Sequence, residues 1–427
     1  MRILRFLFRI SCIFLILVIF GACDRLQSNL SSLNLRRSNI ALLWTDHPEF
    51  AIYAGYFNAS QDKYKVEVRY FESPAQEIIE SGEHPDIVAA SWLLGASLRT
   101  YFMRLDSLFK RGGLSHSSFY PRLLALGNVD GNQYLLPVSY NIPAMVFARD
   151  YSQQQADPFI IGMNEIKERS QAFNIVNRGV YTRMGFSLTS NDDFLFIAAV
   201  LSGAAFREAN PIVWDNQALE QSIRFIQNWI NEANTSFQVE DDFVFKYFYE
   251  PPDKLINSGR ILFAYMDSSS FFTLPEDRRT NLDFRWIAAD ERIPLKEWTV
   301  YYGIHRRTKA SNAAKAFTRW FFDAETQRQL LEAGQNKQLG DSFGISGGFS
   351  SMKTVTEQVF PLFYPDLLGR MPPETYLSPG NILPRNWMDI KRRVILPYLR
   401  ERIRHENRED VRSMERRLND WYRINRY

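Results

Sequence analysis

The sequence predicts an α/β fold in two lobes, and three observations carry that expectation. Strand-like and helix-like stretches alternate from Ile40 onward in a βαβαβ order. The chain has 427 residues, enough for two cores of ordinary domain size. No low-complexity linker, internal repeat or second long apolar span divides it, so the two lobes are expected to exchange segments through several crossings.

Taken in order, Ile40 to Trp44 is a short apolar run of the kind a buried parallel strand needs. Asp46 and Glu49 are spaced as an Asp-x-x-Glu capping box, and Phe50, Tyr53, Ala54 and Phe57 follow at helical spacing. Tyr64 to Phe71 alternates as a half-exposed strand does, and Ile87 to Ala90 supplies the third strand. Asn132 to Pro137 and Ala144 to Phe147 read as two more strands around a turn-like centre. A helix from about Asn216 to Glu232 would bury Leu219, Ile223, Ile226 and Ile230, and a buried strand is expected from Ile261 to Tyr265. Another helix begins near Ser311, with Ala313, Phe317, Trp320 and Ala324 on one face and Gly334 as its stop. From Leu399 to Tyr427 the pattern is that of a charged amphipathic helix with Ile403, Val411, Met414, Leu418 and Trp421 inward.

The first residues read as an export leader. Arg2, Arg5 and Arg9 form a positive start, Ile10 to Phe20 is almost wholly apolar, and the segment is too short to span a bilayer comfortably. It ends in Phe20-Gly21-Ala22-Cys23, which resembles a bacterial lipobox, so Cys23 is the expected lipidation site. Residues 1–22 are then the signal peptide and 23–37 a polar tether to the membrane. The only other cysteine is Cys12, inside the leader, which leaves no disulfide, thiolate or Cys-based metal chemistry for the folded part. Removing the three leader arginines from 51 basic residues leaves 48 against 48 acidic ones, so there is no global field for nucleic acid.

The order of several segments resembles the family 1 extracellular solute-binding proteins, the group that includes carbohydrate-binding receptors. The resemblance runs from about Ile40 to about Arg400 through PDIVAASW, LDSLF, QYLLPVSYNIPAMVFARD, LINSGRILFAYMDSS, TVYYGIHRRTKASNAAKAFTRWFF and NWMDIKRRVILPYL. It implies a two-lobed type II periplasmic-binding-protein-like α/β fold with a hinge and an interlobe ligand cleft, lying beyond the carboxyl ends of the strands. Lobe 1 is expected to comprise residues 38–147 with about 281–325, lobe 2 residues 148–280 with about 326–398, and residues 399–427 the terminal helix. It also implies a small-molecule ligand, a sugar or oligosaccharide, delivered to the permease subunits of an ABC importer by a monomeric, lipid-anchored extracytoplasmic protein. A lipoprotein glycoside hydrolase or a ligand-presenting sensor or adhesin stays open as an alternative.

A pyranose packs its C–H face on aromatic rings and needs in-plane acceptors for its hydroxyls. On that basis Trp44 and Asp46, after the first strand, and Trp92, after the third, are candidate contacts, each tryptophan having core packing as its alternative. Tyr140 and Asn141 occupy the place of a Tyr-Asn pair at the hinge of relatives, and Asn141 could equally satisfy turn backbone. Asp267 and Phe271 lie where relatives carry a loop containing Gly-x-Trp. Trp387 matches an aromatic used for stacking, and Tyr302 and Gly303 face the cleft from the other side. Asp192 and Asp193 face it too or begin a helix.

No cofactor or metal is expected. His47, His84, His116, His305 and His405 are scattered, and none is paired at helical spacing. Gly344 to Gly348 fits G-x-S-x-G, but the preceding residues are turn-like and the only later histidine is His405, so Ser346 is read as part of a glycine-rich loop and the chain as no enzyme.

Overall fold

The computed structural model describes residues 38–110, 112–154, 157–336, 342–405 and 408–425. The expected leader, the Cys23 anchor and the tether lie outside the described residues.

Ten strands form two principal sheets. In the first, β1 (Ile40–Thr45), β2 (Lys65–Tyr70) and β3 (Ile87–Ala90) run parallel, with α1 (Glu49–Ser60) and α2 (Pro74–Glu80) as the crossovers. Two later strands, β9 (Val300–Ile304) and β4 (Leu136–Tyr140), extend it antiparallel, and β10 (Phe349–Ser350) closes the far edge; the order is β10-β4-β9-β3-β1-β2. Residues Leu43 and Ile87 to Ala90 are fully buried, as a strand covered on both faces requires.

The second sheet has the order β7-β5-β8-β6, from β7 (Ala264–Asp267), β5 (Pro143–Ala148), β8 (Leu282–Ile287) and β6 (Ile160–Ile161). Its period-two pattern divides the interior. Ala144 and Val146 join one core, with Phe284 and Trp286, while Met145 and Phe147 join the other. That second core is built by α3 (Asp192–Leu201) and α4 (Asn216–Ala233), which buries Leu219, Ile223, Ile226 and Ile230 as its spacing predicts.

Several boundaries differ from the sequence-based ones. Residues 143–147 and 282–287, expected in lobe 1, pair in the second sheet. Residues 349–350, expected in lobe 2, pair in the first, and α6 (Ala324–Asn336) buries Leu330 and Leu331 in the same core as α5 (Ser311–Phe321). The reason is that the chain changes sheets at Asn141 and Ile142, between consecutive strands, rather than after them. The expected strand at 261–265 is shifted to β7. Asp46 and Glu49 form no capping box: α1 begins after Pro48 with no side-chain cap, and Asp46 accepts instead from the Ser91 N–H at 3.2 Å. The C-terminal helix is two helices, α7 (Leu396–Arg404) and α8 (Met414–Ile424), and Ile403, Val411, Met414, Leu418 and Trp421 are all buried on the second core.

Among the described residues the chain crosses between the lobes three times: at 141–142 and at 288–299 from one sheet to the other, and through 351–386 to the helices on the second core. Two of these crossings pair with each other, Ile293–Pro294 in parallel with Leu377–Ser378.

Candidate interlobe binding cleft

The carboxyl ends of β1 and β3 meet the second lobe at the crossings. Trp92 follows β3 in a left-handed conformation, φ +66°, which costs a tryptophan about 1–3 kcal/mol. The turn throws its ring across the gap, where it packs against both the second core and the small core around Val88 and Tyr301. Beside it is a cavity of about 160 Å³. Trp92, Leu94, Leu126 and Tyr301 form the first-lobe wall, and Phe196, Ile197, Val200 and Phe206 face them from α3 and the loop beyond it. Leu295 to Glu297 and Thr299 of the second crossing and Pro379 to Leu383 of the third complete the enclosure. The rims touch once more where Glu208 accepts from the Ala96 N–H at 2.9 Å.

Behind the apolar wall is a set of buried charges. Lys391, on a π-helical turn (Lys391–Ile395), donates to Asp193 at 2.8 Å and Glu297 at 2.6 Å. Lys296 donates to the Tyr265 hydroxyl at 2.9 Å, with Asp193 at 3.5 Å, and lies 4.5 Å from the centre of the Trp298 ring. Burial raises the cost of ionising Glu297, but Lys391 and Lys296 outweigh it and hold the carboxyl below its ordinary value. Asp193 is likewise lowered, burial being overcome by Lys296 and then Lys391. Two ammonium groups against two carboxylates leave the set with no net charge. Glu297 Oε2 is buried without a hydrogen-bond partner among the described residues, with the Lys296 ammonium 4.0 Å away.

The sequence-predicted residues fall into three groups. Trp92 lines the cavity. Asp46 is tied to the same loop through Ser91, whose hydroxyl donates to the Trp298 carbonyl at 3.4 Å, and burial pushes the Asp46 carboxyl up, with His47 opposing. Asn141 and Asp267 sit at the first crossing: Asn141 bridges Ser268 and Gly347, and Asp267 caps a short helix by accepting from Ser270 N–H at 2.7 Å.

The others are packed in the cores. Trp44 is 0 % exposed against Phe71, Tyr140 contacts Tyr120 and Phe349, and Phe271 packs on Phe272 and Phe284. Trp387 is 0 % exposed between Phe196 and Phe206, holding two cavity-wall rings from behind. Tyr302 bonds Thr318 in the interior, and the close approach at Gly303 is made by Phe102 and Leu135, which would stand 2.5 and 2.7 Å from a Cβ there. Sequence reasoning missed Phe196, Phe206, Lys296, Glu297 and Asn381; their grouping depends on segments far apart in the chain, and no local spacing signals it.

The G-x-S-x-G stretch is a tight loop between buried Phe343 and Phe349, with positive φ at Gly344, Ser346 and Gly347, not a strand-turn-helix elbow. Ser346 Oγ is buried with no hydrogen-bond partner among the described residues. No group of three His, Cys, Asp or Glu side chains among the described residues is placed to hold a metal, and no described helix is long and apolar enough to cross a membrane.

Two sheets exchanging strands through a hinge, with a cavity walled by both lobes, define the class of two-lobed binding proteins. The bacterial extracellular solute-binding protein family model matches residues 53–336, more than half of the chain, and the protein belongs to that family. Solved structures share the fold at low identity. The sugar-binding protein MalE from Xanthomonas citri superposes with a TM-score of 0.61 at 11% identity, covering 90% of this chain and 96% of its own. The cyclic alpha-maltosyl-1,6-maltose binding protein of Arthrobacter globiformis gives 0.60 at 14%, covering 89% and 96%. An ABC substrate-binding protein from Listeria monocytogenes in complex with cycloalternan gives 0.58 at 11%, with the same coverage. No curated protein matches the sequence.

Proposed function

We propose that this protein is an extracytoplasmic sugar receptor that closes its lobes over its ligand and delivers it to an ABC importer. The observation that carries the reading is the cavity beside Trp92, walled by both lobes and floored by two crossings, so that ligand contact and lobe closure are one event. Trp92 is the stacking ring, and Glu297 and Asn381 are the polar contacts. The structural neighbours named above, which bind sugars, support the ligand class. Cys23 carries the lipid anchor and residues 23–37 the tether, the receptor works as a monomer, and permease subunits recognise the closed form.

A thermal-shift screen tests this directly, since a ligand that binds only the folded state raises its melting temperature. Sugars are expected to stabilise the protein, and Trp92→Ala to remove that stabilisation. If peptides or polyamines shifted the transition and no carbohydrate did, the sugar reading would be lost while the fold stood. Mass spectrometry of the mature N-terminus is expected to find an acylated Cys23.

A further inference from the structure

We infer that the cavity takes a single uncharged ring with one apolar edge and one hydroxyl fewer than a hexose, of the 6-deoxyhexose kind, and not a maltodextrin chain, with Glu297 accepting a hydrogen bond from one of its hydroxyls. The inference rests on the sugar-receptor reading and concerns the same site. Three observations carry it: size, polarity and charge.

The volume of about 160 Å³ is close to the roughly 150 Å³ of an apolar cavity that just holds benzene, and well below the about 300–1,000 Å³ of sites for larger ligands. One ring fits; a second would have to leave the enclosure, and there Glu208 and Ala96 hold the rims together.

The wall is mostly carbon, led by Trp92, Leu126, Phe196 and Phe206. Three of its polar side chains are already engaged as donors. Asn381 Nδ2 donates to the Ala205 and Phe206 carbonyls, both at 3.2 Å, Thr299 donates to the Lys296 carbonyl at 3.3 Å, and Lys296 donates to Tyr265. Asn381 and Thr299 keep acceptor capacity in their side-chain oxygens, and Glu297 Oε2 is a buried acceptor with no hydrogen-bond donor among the described residues. Such a site suits a ligand with a few O–H donors. A fully hydroxylated hexose would bury hydroxyls against carbon without partners, which is unfavourable. The balanced pairs of Lys296 and Lys391 with Asp193 and Glu297 offer no net charge for an acidic or basic solute.

The test is calorimetry and thermal shift on the whole protein with five probes: L-rhamnose, L-fucose, D-glucose, maltotriose and benzyl alcohol. Rhamnose or fucose is expected to bind at least about tenfold more tightly than glucose, as an avoided unpaired hydroxyl implies, and maltotriose not to bind. Stronger binding of maltotriose than of any single ring would overturn the inference and leave the sugar-receptor reading intact. Glucose binding as well as the deoxyhexoses would also overturn it. Binding of benzyl alcohol with no sugar bound would sink the sugar reading and the deoxyhexose inference together, which separates that outcome from the loss of the inference alone. Glu297→Gln is expected to weaken the deoxyhexose by about tenfold or more. Because that change also touches the buried charges, Val200→Trp serves as an independent variant: it fills the cavity from α3 and should abolish binding with unchanged circular dichroism. Retained binding in a folded Val200→Trp protein would place the ligand elsewhere and overturn the inference.

Discussion

Two ties hold the crossings to the lobes, and they use opposite chemistry. At the first, Asn141 donates to the Gly347 carbonyl at 2.8 Å, accepts from the Ser268 hydroxyl at 2.6 Å, and offers its own carbonyl to the Lys296 N–H at 2.8 Å. Every group in that tie is neutral. At the second, the side chain of the same Lys296 joins Lys391, Asp193 and Glu297 in a set of four charges. Lys296 thus belongs to the neutral tie through its backbone and to the charged one through its side chain. The difference is in how each fails. Hydrogen bonds between neutral groups can be lost singly at modest cost, whereas buried charges have been desolvated and are stable only as a set.

Lys391→Met breaks the comparison most severely. It leaves Glu297, whose side chain is 7% exposed, with only Lys296 at 4.0 Å, and a loss of about 3–5 kcal/mol in urea unfolding is expected. A loss below about 1 kcal/mol would mean that the remaining charges rearrange, and the contrast with the neutral tie would disappear.

Asn141→Ala comes next. It leaves the Gly347 carbonyl and Ser268 hydroxyl without their partner, for an expected loss of about 1–3 kcal/mol by the same measurement.

Acid separates the two ties further. Asp193 and Glu297 are held below their ordinary values of 3.8 and 4.5 in the folded protein. Their contribution is therefore fully present above those values and lost as pH falls through the lower folded-state ones, because the unfolded chain takes up protons first. Unfolding free energies measured between pH 6 and pH 3 should fall more steeply in the wild type than in Glu297→Gln, by at most about 1.4 kcal/mol per pH unit for one proton. Asn141→Ala should keep the wild-type slope, since its tie contains no titrating group. Ser268→Ala is the smallest change, expected to cost about 1 kcal/mol with no change in that slope.

Much of the fold was legible because it follows from local periodicity. The apolar run before Thr45 and the spacing of Leu219, Ile223, Ile226 and Ile230 each demand burial wherever the rest of the chain goes; the four helix residues are buried, as are Ala41, Leu43 and Trp44 of the run, while Ile40 at its start is exposed. The site was legible only in part. Trp92 could be placed beyond a strand end, but the same argument applied to Trp44, whose side chain points into the core one residue before the strand stops. Period two sends adjacent residues to opposite faces, and no local feature says which face the cleft occupies. Trp387 illustrates a second difficulty: an aromatic near the cleft can serve it from behind, here by wedging Phe196 and Phe206 forward. Gly303 illustrates a third, since close approach to a glycine was legible but its partner, Phe102, was not.

What the sequence by itself determined is the α/β class, the exchange of segments between two lobes, and the family, all of which are written in periodicity and in the order of short segments. What only the tertiary structure decided is the place where the chain changes sheets and the wall of the cleft. Asn141 and Ile142 divide two consecutive strands between different sheets because β5 finds its partners in β7 and β8, more than a hundred residues later. Lys296, Lys391, Asp193 and Glu297 are ordinary surface-type residues in the sequence. They become a buried set because three distant segments bring both signs to one point, and a charge can be buried only where its partner arrives with it.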